Sequence, residues 1–229
     1  VREAHAGLVD VYRRQQKPEQ VEKALEGLLA VAPEDAAALT ALGDMALSAK
    51  DVDKAKDYYE RLRKVAPDSP VTRDKLGLLR LASEDPDGAI EQFESSLEAN
   101  PDYAPALNRM TAVLVREGKL DEALKRARAQ VEKRPENPDL RLTLGRLYAM
   151  KEQPDQAREQ FEKALSLAPE SQAPLMHLAR LEQSLGQVDE AIVRYREMRE
   201  RDPGNQGLGL ILATLYERQG KTEAALEVY

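Results

Sequence analysis

Six prolines stand at one fixed interval: Pro33, Pro67, Pro101, Pro135, Pro169 and Pro203, each 34 residues after the last. Proline lacks the amide donor a helix needs, and its ring clashes with the preceding turn. A proline recurring with that period marks a chain of like units, each stopped at the same place. Setting the prolines at position 32 divides the sequence into units 2–35, 36–69, 70–103, 104–137, 138–171 and 172–205, with a shorter one at 206–229 and no insertion anywhere.

The columns of this register are chemically consistent. Position 7 holds Leu8, Leu42, Leu76, Met110, Leu144, Leu178 and Leu212. Position 8 holds Val9, Gly43, Gly77, Thr111, Gly145, Ala179 and Ala213, none of them long. Position 20 is Val21 and then alanine from Ala55 to Ala225, and position 18 is always acidic. Aromatic residues recur at position 24: Tyr59, Phe93, Phe161, Tyr195 and Tyr229. Apolar residues recur with helical spacing over positions 1–13 and again over 17–30, so each unit predicts two helices. Breakers separate them, among them Lys17-Pro18, Asp85-Pro86, Gly118, Gln153-Pro154, Gly186 and Gly220. So short a link makes the helices antiparallel. Small residues at positions 8 and 20 let the backbones approach, and leucines and aromatics fill the seam. The position 18 acid lies in the first turn of the second helix, at the positive end of its dipole. Ser69-Pro70 and Asn137-Pro138 predict a capping side chain followed by proline.

These columns resemble the tetratricopeptide repeat family, whose pattern is large, Leu, Gly and Tyr in the first helix, then Ala, aromatic and Pro. The resemblance covers essentially the whole chain, 1–229, as a single array. It implies an all-α, right-handed superhelix of antiparallel helix pairs, in which first helices line a concave groove and second helices form the back. The last unit stops within its second helix and neither end carries a polar cap, which predicts a fragment of a longer array whose open ends would self-associate.

In the family, groove residues come from positions 2, 5, 9, 12 and 13. Carried over, position 9 gives Asp10, Asp44, Leu78, Ala112, Arg146 and Arg180. Position 5 gives Asp74, Asn108, Leu142 and Met176, position 12 gives Arg13, Leu81 and Val115, and position 13 gives Met150. The groove is thus expected to be acidic at its start, apolar in the middle and basic further on. The partner implied is a protein or peptide segment with an apolar centre, bound by a non-enzymatic scaffold in a multiprotein assembly. The Lys and Asn pair of the carboxylate-clamp subclass is missing. The insertion-free units also resemble bacterial scaffolds of envelope and exopolysaccharide-export assemblies. The alternative they raise is an acidic groove, built on Asp10, Asp44 and Asp74, that meets a cationic polymer or a partner enzyme.

Composition narrows the chemistry. The net charge of −7 disfavours nucleic acid, whose affinity comes mainly from phosphate neutralisation. There is no cysteine, which fits cytoplasm or bacterial periplasm alike, and no apolar run long enough for membrane insertion. The two histidines, His5 and His177, read as packing residues, and no catalytic, cofactor or metal set is apparent. Unit 4 departs most, with Ala127 and Gln130 at positions 24 and 27, and is expected to be the softest. Position 11 of unit 6 is Glu182, which must be paired or partly exposed to avoid the cost of a buried lone charge.

Overall fold

A computed structural model describes residues 2–228. Among these residues there are fourteen helices and no strand: α1 (Arg2–Arg14), α2 (Pro18–Val31), α3 (Ala36–Ser48), α4 (Val52–Val65), α5 (Pro70–Ala82), α6 (Pro86–Ala99), α7 (Ala104–Arg116), α8 (Leu120–Lys133), α9 (Pro138–Met150), α10 (Pro154–Leu167), α11 (Gln172–Ser184), α12 (Val188–Arg201), α13 (Gln206–Arg218) and α14 (Thr222–Val228). The first helix of each unit fills positions 1–13 and the second starts at position 17, as the apolar periodicity predicts. The chain forms two compact bodies, residues 1–113 and 114–229, divided within α7.

Each helix end has a local cause. The residue before each position 32 proline still donates its amide to the helix, as Ala32 and Ala66 do to Leu28 and Leu62. It then turns to φ near −140, the extended state favoured before proline. The turn between paired helices is tighter. Lys50 N donates to Leu47 O and Asp51 N to Ala46 O, a Schellman closure, with Lys50 left-handed at φ 62. Position 15 is left-handed in every unit: Gln16, Lys50, Glu84, Gly118, Glu152, Gly186 and Gly220. Asp51 and Asp85 cap the helix that follows through Lys54 N and Gly88 N. Asn137 caps α9 through two amides, whereas the Ser69 hydroxyl makes no capping bond. At Ser69 the proline alone sets the helix start.

The seam within each pair is built as a lock of small against large. A Cβ placed on Gly77 would lie 2.5 Å from the Phe93 ring, and one on Gly145 would lie 2.5 Å from Phe161. Phe93 and Tyr59 are fully buried, and Phe161 and Tyr195 nearly so. Tyr229, which would close the last pair, lies outside the described residues. Where position 24 is not aromatic, position 8 is larger: Val9 with Leu25 in unit 1, Thr111 with Ala127 in unit 4. Ala127, Gln130, Leu124 and Val131 are all buried, so the departures in unit 4 leave no side chain of that set in solvent. Leu8 differs from its column. It is 41% exposed, because among the described residues no preceding pair covers that face of α1, and Val9 is buried instead.

Within the bodies, α3 packs against α5 and α9 against α11, so first helices of successive units touch. Second helices of successive units meet more loosely, as α2 and α4 do through the Lys54–Glu22 ion pair at 2.6 Å, and among the described residues show no comparably close backbone packing. The first helices therefore occupy the inner side of each body, the orientation that the resemblance implies.

Candidate functional site

In the first body the inner face opens into a hollow of about 800 Å³. Its walls are Ala37, Thr40, Ala41, Asp44 and Met45 of α3, Val21 and Pro18 of α2, Val71 of α5, and Arg13, Gln16 and Lys17 around the end of α1. The volume lies in the range of pockets that hold a small ligand or a large side chain. Small residues create it: Ala37 and Ala41 stand one turn apart on α3, where longer side chains would close the space. Arg13 and Asp44 were expected in the groove, and Ala37 and Val71 at position 2 and Thr40 at position 5 also lie in its columns. Those columns miss Ala41 and Met45, at positions 6 and 10, and the four residues of the turn and α2, because the family pattern takes its groove from five columns of the first helix.

The expected acidic start of the groove is corrected by the structure. Asp74 is fully buried. Arg109 Nη1 donates to both of its oxygens at 2.6 Å, and the Tyr103 hydroxyl lies 3.5 Å from Oδ2. Burial pushes the Asp74 carboxyl above its ordinary range, and Arg109 pulls it only part of the way back. Asp44 is half-buried. It accepts from the Tyr59 hydroxyl at 2.6 Å and from Lys75 Nζ at 2.7 Å, and burial followed by this bond raises the Tyr59 phenol well above its usual value. Asp10 alone remains exposed and outside such a network. Two of the three carboxylates thus have cations of this chain in the place that a cationic polymer would take. Each cation sits at position 6 of the following unit, Lys75 against Asp44 and Arg109 against Asp74, a cross-unit pairing that no single column reveals.

The other expected groove residues fall as follows. Arg13 and Ala112 are exposed, and Leu78, Leu81 and Asn108 are half-buried, in the first body. In the second, Arg146 and Arg180 are exposed, Met150 is 51% exposed, and Val115, Leu142 and Met176 are half-buried. Glu182 on α11 is buried and paired, 3.3 Å from Arg158 and 3.5 Å from Arg194. Burial with pairing, rather than partial exposure, is how the fold accommodates it. His5 packs against Gly27, whose Cβ position would lie 2.6 Å from the imidazole. Among the described residues no three His, Cys, Asp or Glu side chains gather as metal ligands, and no helix is long and apolar enough to cross a membrane.

His177 is the most perturbed of the inner-face groups in the second body. Its ring stacks on Phe161 with centroids 5.1 Å apart. Burial, then the charges of Arg146 and Arg180, lower its pKa to about 4. An unfolded chain protonates this histidine near 6.5 and the folded one resists. Stability is therefore complete above pH 6.5 and is lost as pH falls towards 4. The loss is less than about 3 kcal/mol, since the ring is only half-buried. Urea denaturation at pH 7 and pH 4.5 should show His177→Gln losing less stability over that interval than the parent chain.

Comparison with known proteins agrees with this architecture. The family profile described as tetratricopeptide repeat matches residues 7–70, 80–129, 114–161, 149–194 and 184–229. No curated protein matches the chain. Among solved structures, a thermophilic TPR protein of Thermus thermophilus is similar, with TM-score 0.61 and 24% identity over 79% of this chain and 98% of that one. PilF of Pseudomonas aeruginosa gives TM-score 0.61 and 21% identity over 84% and 88%. PilW, a type IV pilus biogenesis factor, gives TM-score 0.63 and 20% identity over 92% and 98%. At these identities the likeness concerns the fold alone. A repeat that accounts for nearly every residue, helix pairs bounded where its columns require, and a matching profile along most of the length make this chain a member of the tetratricopeptide repeat family.

Proposed function

We propose that the chain is a non-enzymatic protein–protein interaction scaffold whose first body seats an apolar side chain of a partner segment in the hollow between α1, α3 and α5. The observation that carries this reading is the hollow itself, about 800 Å³ and walled by Ala37, Ala41, Met45, Val21 and Val71 on the inner face. An apolar concavity of that size gains free energy by admitting an apolar group and releasing water. Met45 adds a side chain that adapts to differently shaped guests. Arg13 and Lys17 on the rim favour a segment with a carboxylate beside its apolar anchor. The bound partner would belong to a multiprotein assembly, for which an array of such bodies supplies several docking faces.

Peptide display on the immobilised protein tests the reading. Enriched peptides should carry a Leu, Ile, Phe or Met anchor. Ala37→Trp fills the hollow from an exposed position, so helicity and melting should stay unchanged while affinity for a selected peptide falls about tenfold or more. Selected peptides that bind the Ala37→Trp chain as tightly as the parent would refute the assignment.

A further inference from the structure

The second body carries a different inner face. In the first body Asp44 and Asp74 each meet a cation at position 6 of the next unit. The same two places behind Arg146 and Arg180 hold His177 and Ile211. An imidazole kept neutral between two guanidiniums and an apolar side chain cannot act as counter-ions. Arg146 and Arg180 occupy position 9 of successive units, on α9 and α11, which touch each other. Both are exposed, and neither makes an ion pair with this chain among the described residues. Beside them Met150 is 51% exposed, and Leu142 and Met176 are half-buried. The His177 ring, stacked on Phe161, lies near enough to both cations to feel their charge.

We infer that this face of α9 and α11 binds an acidic peptide segment, with carboxylates on Arg146 and Arg180 and a neighbouring apolar side chain on Met150 and Leu142. Charge complementarity selects the occupant: two unneutralised guanidiniums with forked donors match carboxylates, next to an adaptable apolar surface. A nucleic acid fits less well, because two cations on a chain of net charge −7 release few counterions. The inference goes beyond the hollow of the first body and shares no residue with it, so the two are tested by different variants.

Fluorescence anisotropy on the full chain decides the matter, with a labelled peptide of Glu-Glu-Leu repeats and its Gln-Gln-Leu counterpart. The glutamate peptide should bind about tenfold or more tighter than the glutamine peptide, and added salt should narrow the difference. Arg146→Glu with Arg180→Glu should remove the preference while circular dichroism and melting remain those of the parent. Arg146→Gln with Arg180→Gln gives the same reading should the charge reversal unfold the body. Ala37→Trp should leave the preference intact. Equal affinity for the two peptides, no binding of the glutamate peptide, its retention by the glutamine variant, or displacement by a single-stranded oligonucleotide at lower concentration than by unlabelled glutamate peptide would each overturn the assignment.

Discussion

Replacing Arg109 by methionine is expected to destabilise the first body by about 3–5 kcal/mol at pH 7, because it strands a buried carboxylate. Asp74 has no solvent exposure, and both of its oxygens are held by one guanidinium nitrogen at 2.6 Å. Burial already raises its pKa despite that partner. A carboxyl with a raised folded-state pKa is most favourable below its unfolded value and loses stability as pH rises through the folded one. Without Arg109 that loss deepens. The deficit of Arg109→Met relative to the parent should therefore be largest at neutral pH and shrink towards pH 4, where Asp74 takes up a proton. Asp74→Leu together with Arg109→Met should recover most of the stability, since an apolar pair of similar volume escapes the desolvation cost. Urea denaturation of the two variants and the parent at several pH values measures all three expectations. A variant Arg109→Met as stable as the parent at pH 7 would mean that Asp74 is better hydrated than its burial implies.

The same pair shows what the sequence could reveal. The 34-residue period marked the helices and their turns, because proline, glycine and small residues act locally, while the side of each unit that faces inward came from the family resemblance. Asp74 looked like a groove acid because position 5 is a groove column of the family, yet it is fully buried. Its neutralisation depends on Arg109, 35 residues on and in another column, and only packing between units brings them together. Asp44 and Lys75 repeat the lesson at a separation of 31. The left-handed turn residue shows a milder form. Gly118, Gly186 and Gly220 announce it, but Gln16, Lys50, Glu84 and Glu152 adopt the same conformation without the residue type that advertises it. There the Schellman bonds and the helix pair enforce a geometry that these residues do not prefer on their own. The hollow was legible in part. Arg13, Asp44 and the small Ala37 lie in groove columns, while Val21 and Pro18 reach it from the second helix of unit 1, a contribution that depends on how α1 and α2 cross.

Gly77→Val should cost about 2–3 kcal/mol, the scale of an overpacked core, since its first added carbon would lie 2.5 Å from the fully buried ring of Phe93. The ring has no free space to retreat into, and the close approach of α5 and α6 depends on it. Phe93→Leu alone should cost a similar amount by leaving a cavity where the ring had been. The chain itself suggests the remedy. Unit 1 fills the same two positions with Val9 and Leu25, both buried, so a medium residue opposite a medium residue satisfies this seam. Gly77→Val with Phe93→Leu should therefore lose much less than the sum of the single changes, with a coupling of about 1–3 kcal/mol in a double-mutant cycle. Equilibrium urea denaturation of the four proteins gives the coupling directly. Strict additivity would show that positions 8 and 24 are filled independently, and that glycine opposite an aromatic ring in units 2, 3 and 5 and valine opposite leucine in unit 1 are not size matching.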